Sequence, residues 1–263
     1  MRMTEDLMHL TEECKKIYEN ADSLAHRCGH IKRTADGAVW FVKNRGGTER
    51  EQELAYAAGL LHDIRRKRFN SKFHAMESSL AAPKILKRYS FTEDERNEII
   101  IAVRDHSYLT DWKSLVHQSV YLSDKILELM GAYLDFRAPF YIGEKFEEVY
   151  KIKGVKPLEA ILSFYQEYKN KIFIPSKYPD FVGNFVNYQM KWNLEFVESL
   201  ENNKEWAIEL GMNMFECGRK RIDFEKTIMN YEPNGIMQKK WADEMQSYVK
   251  GSKFKEFEKM ITF

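Results

Sequence analysis

The stretch AYAAGLLHDI, Ala55 to Ile64, decides the fold. Thr48 and Glu51 stand ahead of it in capping-box spacing, so ELAYAAGLLHD reads as the body of a helix beginning just after Thr48. His62 ends that helix, and Ala55, Ala58 and Gly59 precede it at helical spacings on one face. Small side chains there let a second helix approach closely, which brings side chains from neighbouring helices within reach of one point.

The helical period extends outward in both directions. Leu7, Leu10, Cys14 and Ile17 make an apolar stripe behind Thr4, an N-cap residue. Thr92 and Glu95 repeat the capping box ahead of NEIIIAVRDH. Further helices are expected over residues 25–43, 73–87, 114–130, 158–171 and 181–200. Six prolines and 13 glycines are few for 263 residues, and alternating strand patterns are scarce. The stretches around Pro139, Pro175 and Pro179 read as turns between helices, and YEPNG, Tyr231 to Gly235, reads as a break. Phe254, Phe257 and Ile261 form a late apolar stripe expected to dock on the core. The fold class expected is all-α: a main helical domain over residues 1–200, with additional C-terminal helices over 201–263 packed on it. That extension can cap a cleft, lengthen the bundle or supply the contact of a homodimer.

Lys and Arg number 41 against 40 Asp and Glu. Such balance argues against a nucleic-acid polymer as partner, whose binding rests on neutralised phosphates, and against attraction to an anionic membrane surface. A chain of this length buries roughly three quarters of its unfolded surface, so neither a disulfide nor a structural metal is needed to hold it. Cys14, Cys28 and Cys217 are scattered, without the spacing of a disulfide framework or a thiolate zinc site. The opening MRMTEDLMHLTEECKK places acidic residues where a signal peptide needs an apolar core. No stretch reaches the roughly 18 apolar residues of a membrane span. A folded protein of the reducing cytoplasm is expected.

Six of the seven histidines lie between His26 and His117. His30, His62, His74 and His106 fall on successive expected helices, Asp63 stands beside His62, and Asp124 lies on a later helix. Short connections make such helices packing neighbours. Taken in order with the strings around them, these residues resemble the HD superfamily of metal-dependent phosphohydrolases. HRCGHIKR, His26 to Arg33, is similar to the family's opening motif and AYAAGLLHDI to its central His-Asp motif. HAMESSLAAPKIL, IAVRDHS and YLSDKIL are similar to its later His, His-Ser and Asp-Lys-Leu motifs. The resemblance spans about residues 20 to 135 and continues more weakly to about 200.

The resemblance implies an HD-domain helical bundle holding one or two divalent transition-metal ions. Imidazole and carboxylate donors suit manganese, iron, cobalt, nickel or zinc. Carried over residue by residue, His30, His62, Asp63 and Asp124 hold the first ion, and Asp63 bridges to a second completed by His74 and His106. Two such ions activate water and stabilise the entering and departing oxygens of an in-line displacement at phosphorus. The implied activity is hydrolysis of a phosphoester or phosphoanhydride bond in a small phosphorylated molecule, with a nucleotide as the leading substrate. Asp63, His26, Arg66 and Lys125 form the expected catalytic set.

Arg65, Arg66, Lys67 and Arg68 follow the His-Asp pair, and Lys125 follows the last ligand, so their charges can meet a phosphoryl group; a basic run is equally a solvated face. His26, one helical turn before His30, serves either as a hydrogen-bond partner of the ligands or as a substrate contact. His117, seven residues before Asp124, either faces the site or is structural. Cys28 packs. Arg27 and Ser123 depart from the Asp and Ala common at their places in the family, which bears on substrate choice more than on metal binding. Two other readings share the scaffold. A di-iron oxygenase of the myo-inositol oxygenase kind resembles the same ligand order, and a non-catalytic binding or regulatory HD module would not need every ligand.

Overall fold

Hydroxyl caps, from Thr4, Thr48, Thr92 and Ser114, set where four helices begin in the first half of the chain. The structure, a computed structural model, describes residues 1, 3–67, 69, 73–108 and 110–262. At the head of α1 (Glu5–Glu19) the Thr4 side chain accepts a hydrogen bond from the Leu7 backbone N–H. α1 buries Leu7, Leu10 and Cys14 as expected, but Ile17 is 39% exposed and Tyr18 turns inward in its place. Both flank the stripe; Tyr18 is selected because its hydroxyl donates to the Leu60 carbonyl at 3.0 Å.

The helix expected from residue 25 starts later. Leu24–His26 form a short 3-10 turn, Arg27 is extended, and α2 runs Cys28–Asn44. His26 therefore lies outside α2. α3 (Glu49–Leu61) opens with the complete capping box: Thr48 accepts from the Glu51 N–H, and the Glu51 carboxylate accepts from the Thr48 N–H at 2.7 Å. α4 spans His74–Leu86, and α5 (Glu93–Asp105) repeats the box with Thr92 and Glu95. α6 (Leu115–Leu122) is shorter than expected, because Ser123–Glu128 widen into a π-helical turn.

Leu54 to Leu61 of α3 are all buried, the pattern of a helix surrounded by others. α3 packs against α2, α5 and α6, with α1 also in contact. Gly59 makes the α2 approach close: a Cβ there would stand 2.5 Å from the Ala35 Cα. These elements form one compact unit, Met1–Glu128.

A second unit, Leu129–Phe263, is built around α7 (Gly131–Lys145). α8 (Pro157–Lys171), α9 (Gly183–Glu201), α10 (Glu205–Arg219) and α12 (Ile236–Val249) pack on it, with α11 (Phe224–Met229) between α10 and α12 in sequence. The turn expected at Pro139 does not occur, and α7 continues through it. Proline removes one helical hydrogen bond, but Phe136 and Phe140 on either side are fully buried and hold the segment helical by packing. Pro175 and Pro179 do lie in the connection between α8 and α9, and YEPNG separates α11 from α12. Beyond α12, α13 (Phe254–Phe257) turns its stripe inward: Phe257 and Ile261 are buried, and the Phe257 ring lies 4.6 Å from that of Phe185. Among the described residues there is no strand, so the fold is all-α.

Candidate metal centre

Helix ends aim the histidines. His62 and His106 are the C-cap residues of α3 and α5, where the last carbonyls have no helical partner. Each uses one: His62 Nδ1 lies 2.7 Å from the Gly59 carbonyl and His106 Nδ1 lies 2.6 Å from the Val103 carbonyl. Those acceptors assign the ring proton to Nδ1, which leaves each Nε2 with its lone pair directed inward. His30 comes from the first turn of α2 and His74 is the first residue of α4. All four imidazoles are buried. The Nε2 atoms pair off, His30 with His62 at 3.2 Å and His74 with His106 at 3.2 Å.

Asp63 stands between the two pairs. Its Oδ2 lies 3.7 Å from His30 Nε2 and 3.6 Å from His62 Nε2, while its Oδ1 lies 3.3 Å from His74 Nε2 and 3.7 Å from His106 Nε2. Oδ1 is buried and accepts no hydrogen bond. Asp124, on the π-helical turn, directs Oδ1 toward His30 Nε2 at 3.8 Å, and its Oδ2 accepts from the Lys125 ammonium at 2.7 Å. Among the described residues, donor atoms of His30, His62 and Asp124, and again of His62, Asp63 and His106, converge closely enough to hold a metal ion.

The electrostatics suit a cation. Burial pushes the His62 and His106 imidazoles below their ordinary range, which keeps them neutral and able to ligate. Burial works against ionisation of Asp63, but the positive charge of Arg66 and the imidazoles gathered around it leave the carboxyl well below the usual range. Asp124 is likewise lowered against burial, chiefly by Lys125. Buried lone pairs facing one another and a carboxylate oxygen without a donor are costly unless a positive ion is shared among them. The residues present therefore fit a divalent ion.

The other expected site residues are placed as follows. His26 stacks edge-on to His30, with ring centroids 5.4 Å apart, and its Nδ1 lies 2.8 Å from Ser23 Oγ. It reaches His30 from the 3-10 turn rather than along a shared helix face. Arg66 is half-buried, and its backbone N–H donates to the Asp63 carbonyl at 2.7 Å. Arg65, Arg66, Lys67, Asp63, Tyr18 and Asn20 line a cleft of about 350 Å³. Arg68 lies outside the described residues. His117 turns to Asp105, with Nε2 3.6 Å from Oδ2, and accepts from the Lys113 N–H. Two groups next to the clustered histidines were not anticipated from the sequence. Ser107 Oγ sits 3.1 Å from His74 Nε2 and 3.2 Å from His106 Nε2. Glu128 Oε2 sits 2.8 Å from His30 Nδ1, and its four-residue spacing from Asp124 is the signal that could have found it.

Residues 27–130, which carry every one of the converging donors, match the model of the HD domain. Residues 27–130 form an HD domain. HD domains bind divalent metal ions, and the family is commonly one of metal-dependent phosphohydrolases. No curated protein matches the chain. Among solved structures, the crystal structure of Bacillus subtilis YpgQ in complex with ADP is similar over 75% of this chain and 99% of YpgQ, with a TM-score of 0.52 and 17% identity. At that identity the likeness is one of fold. Among the described residues, no helix of the chain is long and apolar enough to cross a membrane.

Proposed function

We propose that this protein is a metal-dependent phosphohydrolase that cleaves a phosphoester or phosphoanhydride bond in a small phosphorylated molecule, with a nucleotide the first substrate to test. The observation that carries this reading is the division of Asp63, one oxygen toward His30 and His62 and the other toward His74 and His106. His30, His62, Asp63 and Asp124 would hold one divalent ion, and Asp63, His74 and His106 a second. Bound there, such ions supply Lewis acidity toward phosphoryl oxygens and a water of lowered pKa at neutral pH.

The chain's own residues do the rest. Arg65, Arg66 and Lys67 line a cleft that also borders Asp63, and their charges would meet the phosphate of a substrate bound there. Lys125 fixes the orientation of Asp124 through its ion pair. His26 packs edge-on against the His30 ring. YpgQ, similar in fold, was crystallised with ADP, which supports starting from nucleoside phosphates. The test is phosphate release from a panel of nucleotides and sugar phosphates with manganese or another divalent ion, comparing wild type with Asp63→Ala. Turnover confined to wild type supports the reading. Oxygen consumption by the iron-loaded protein without phosphate release would replace it with an oxygenase.

A further inference from the structure

His30 faces a problem that His62 and His106 do not. Those two end their helices and donate Nδ1–H to carbonyls of their own last turns. His30 lies in the first turn of α2, where the free backbone groups are N–H donors rather than carbonyl acceptors. The Arg27 carbonyl just before it already accepts from the Ile31 N–H. An acceptor for His30 Nδ1 must come from another element, and Glu128 supplies it, at 2.8 Å and with a side chain fully shielded from solvent. Arg33, one turn along α2, donates through Nε to the other Glu128 oxygen at 2.9 Å and so matches the carboxylate with a buried positive charge.

The π-helical turn is what delivers Glu128. His30, Arg33, Thr34 and Gly37 lie on one face of α2, and every one of them meets this turn. Ser123 Oγ donates to the Thr34 carbonyl at 2.8 Å. Gly37 has no Cβ where one would collide with Ser123 and Leu127. All six residues from Ser123 to Glu128 are buried, and the same short turn carries both Asp124, at its second position, and Glu128, at its last. π-Helical turns of this kind concentrate at functional sites.

We propose that Glu128 is a positioning residue that acts through His30: it holds the imidazole as its Nδ1–H tautomer, with Nε2 presented to the metal, and Arg33 serves to neutralise it. The inference rests on the reading of His30 as a ligand. Partners of this kind, behind a ligating histidine, typically change metal affinity on the order of 10- to 100-fold when removed.

The decisive pair of variants removes the Arg33–Glu128 ion pair in both and differs only at His30's acceptor: Arg33→Met/Glu128→Met and Arg33→Met/Glu128→Gln. Both lack the buried ion pair and keep similar volume; only the second retains an acceptor for His30. Manganese affinity is measured by chelator competition, and the His30 tautomer by nitrogen-15 shifts of the metal-free protein. The Met/Met variant is expected to bind manganese roughly 10- to 100-fold more weakly and to lose the Nδ1–H tautomer, while the Met/Gln variant retains both. Equal affinities and equal tautomers in the two variants would overturn the role of Glu128. His30→Ala with wild-type manganese affinity would instead remove the ligand reading beneath it.

Discussion

Gly59 lies against Ala35 so closely that a Cβ on the glycine would stand 2.5 Å from the Ala35 Cα and 2.9 Å from its backbone nitrogen. The same Gly59 offers its carbonyl to His62 Nδ1 at 2.7 Å. The contact that lets α2 and α3 approach is therefore also the contact that aims the His62 imidazole. Gly59→Ala must push backbone against backbone, which no rotamer change relieves. We expect a loss of about 1–3 kcal/mol in denaturant unfolding, together with weaker metal binding. Wild-type stability in this variant would show that the two helices can separate without penalty.

The two histidine pairs make separate predictions. His74→Ala or His106→Ala should lower the metal content by about one ion per chain while leaving the His30 and His62 side loaded. Asp63→Ala removes the residue shared by both pairs and should abolish turnover, with helical content near wild type because no apolar core group is lost. Metal analysis after purification without chelators, read beside circular dichroism, checks both. Unchanged stoichiometry in the histidine variants would mean a site for a single ion.

Most of this cluster is legible in the sequence because its histidines sit where local rules place them. Capping boxes at Thr48 and Thr92 fix the starts of α3 and α5, and His62 and His106 follow at their ends. Gly59 and its small neighbours mark the close approach in advance. Glu128 is harder to read: its spacing from Asp124 is the one signal for it, while its partner His30 lies 98 residues away and a π-helical turn departs from the 3.6-residue period used to read faces. The extended Arg27 before α2 is hidden in the same way by a helix-like pattern on both sides. Pro139 shows the converse: a strong local breaker yields to the burial of its neighbours in α7.

Arg66 reports on the cleft. It lies beside Asp63, helps hold that carboxyl low, and shares the cleft wall with Arg65 and Lys67. If phosphate enters there, Arg66→Ala should lower kcat/KM by roughly 10-fold, mainly through KM, since a charge-assisted hydrogen bond to phosphate is lost. Unchanged steady-state kinetics would leave the basic run as solvated surface.

Asp135 yields a prediction that does not depend on metal. Its carboxylate, fully buried in α7, accepts hydrogen bonds from Tyr165 at 2.8 Å, Asn193 at 2.7 Å and Trp241 at 2.9 Å, one donor from each of α8, α9 and α12. Burial nevertheless dominates and pushes its pKa up to about 7 from 3.8, against those three donors. Between these values the folded chain holds a proton that the unfolded chain releases. Stability contributed by this group is therefore fully present below about pH 4, falls as pH rises, and is lost above about 7; roughly 4 kcal/mol is the most that one group shifted so far can contribute. Asp135→Asn cannot titrate and should flatten that part of the curve. Its amide can keep one oxygen as an acceptor but turns its NH2 toward the Trp241 indole N–H, so it should also be less stable than wild type at low pH. Urea unfolding at intervals from pH 4.5 to 8 checks both effects, and identical pH slopes for the two proteins would mean that the three donors keep Asp135 ionised throughout.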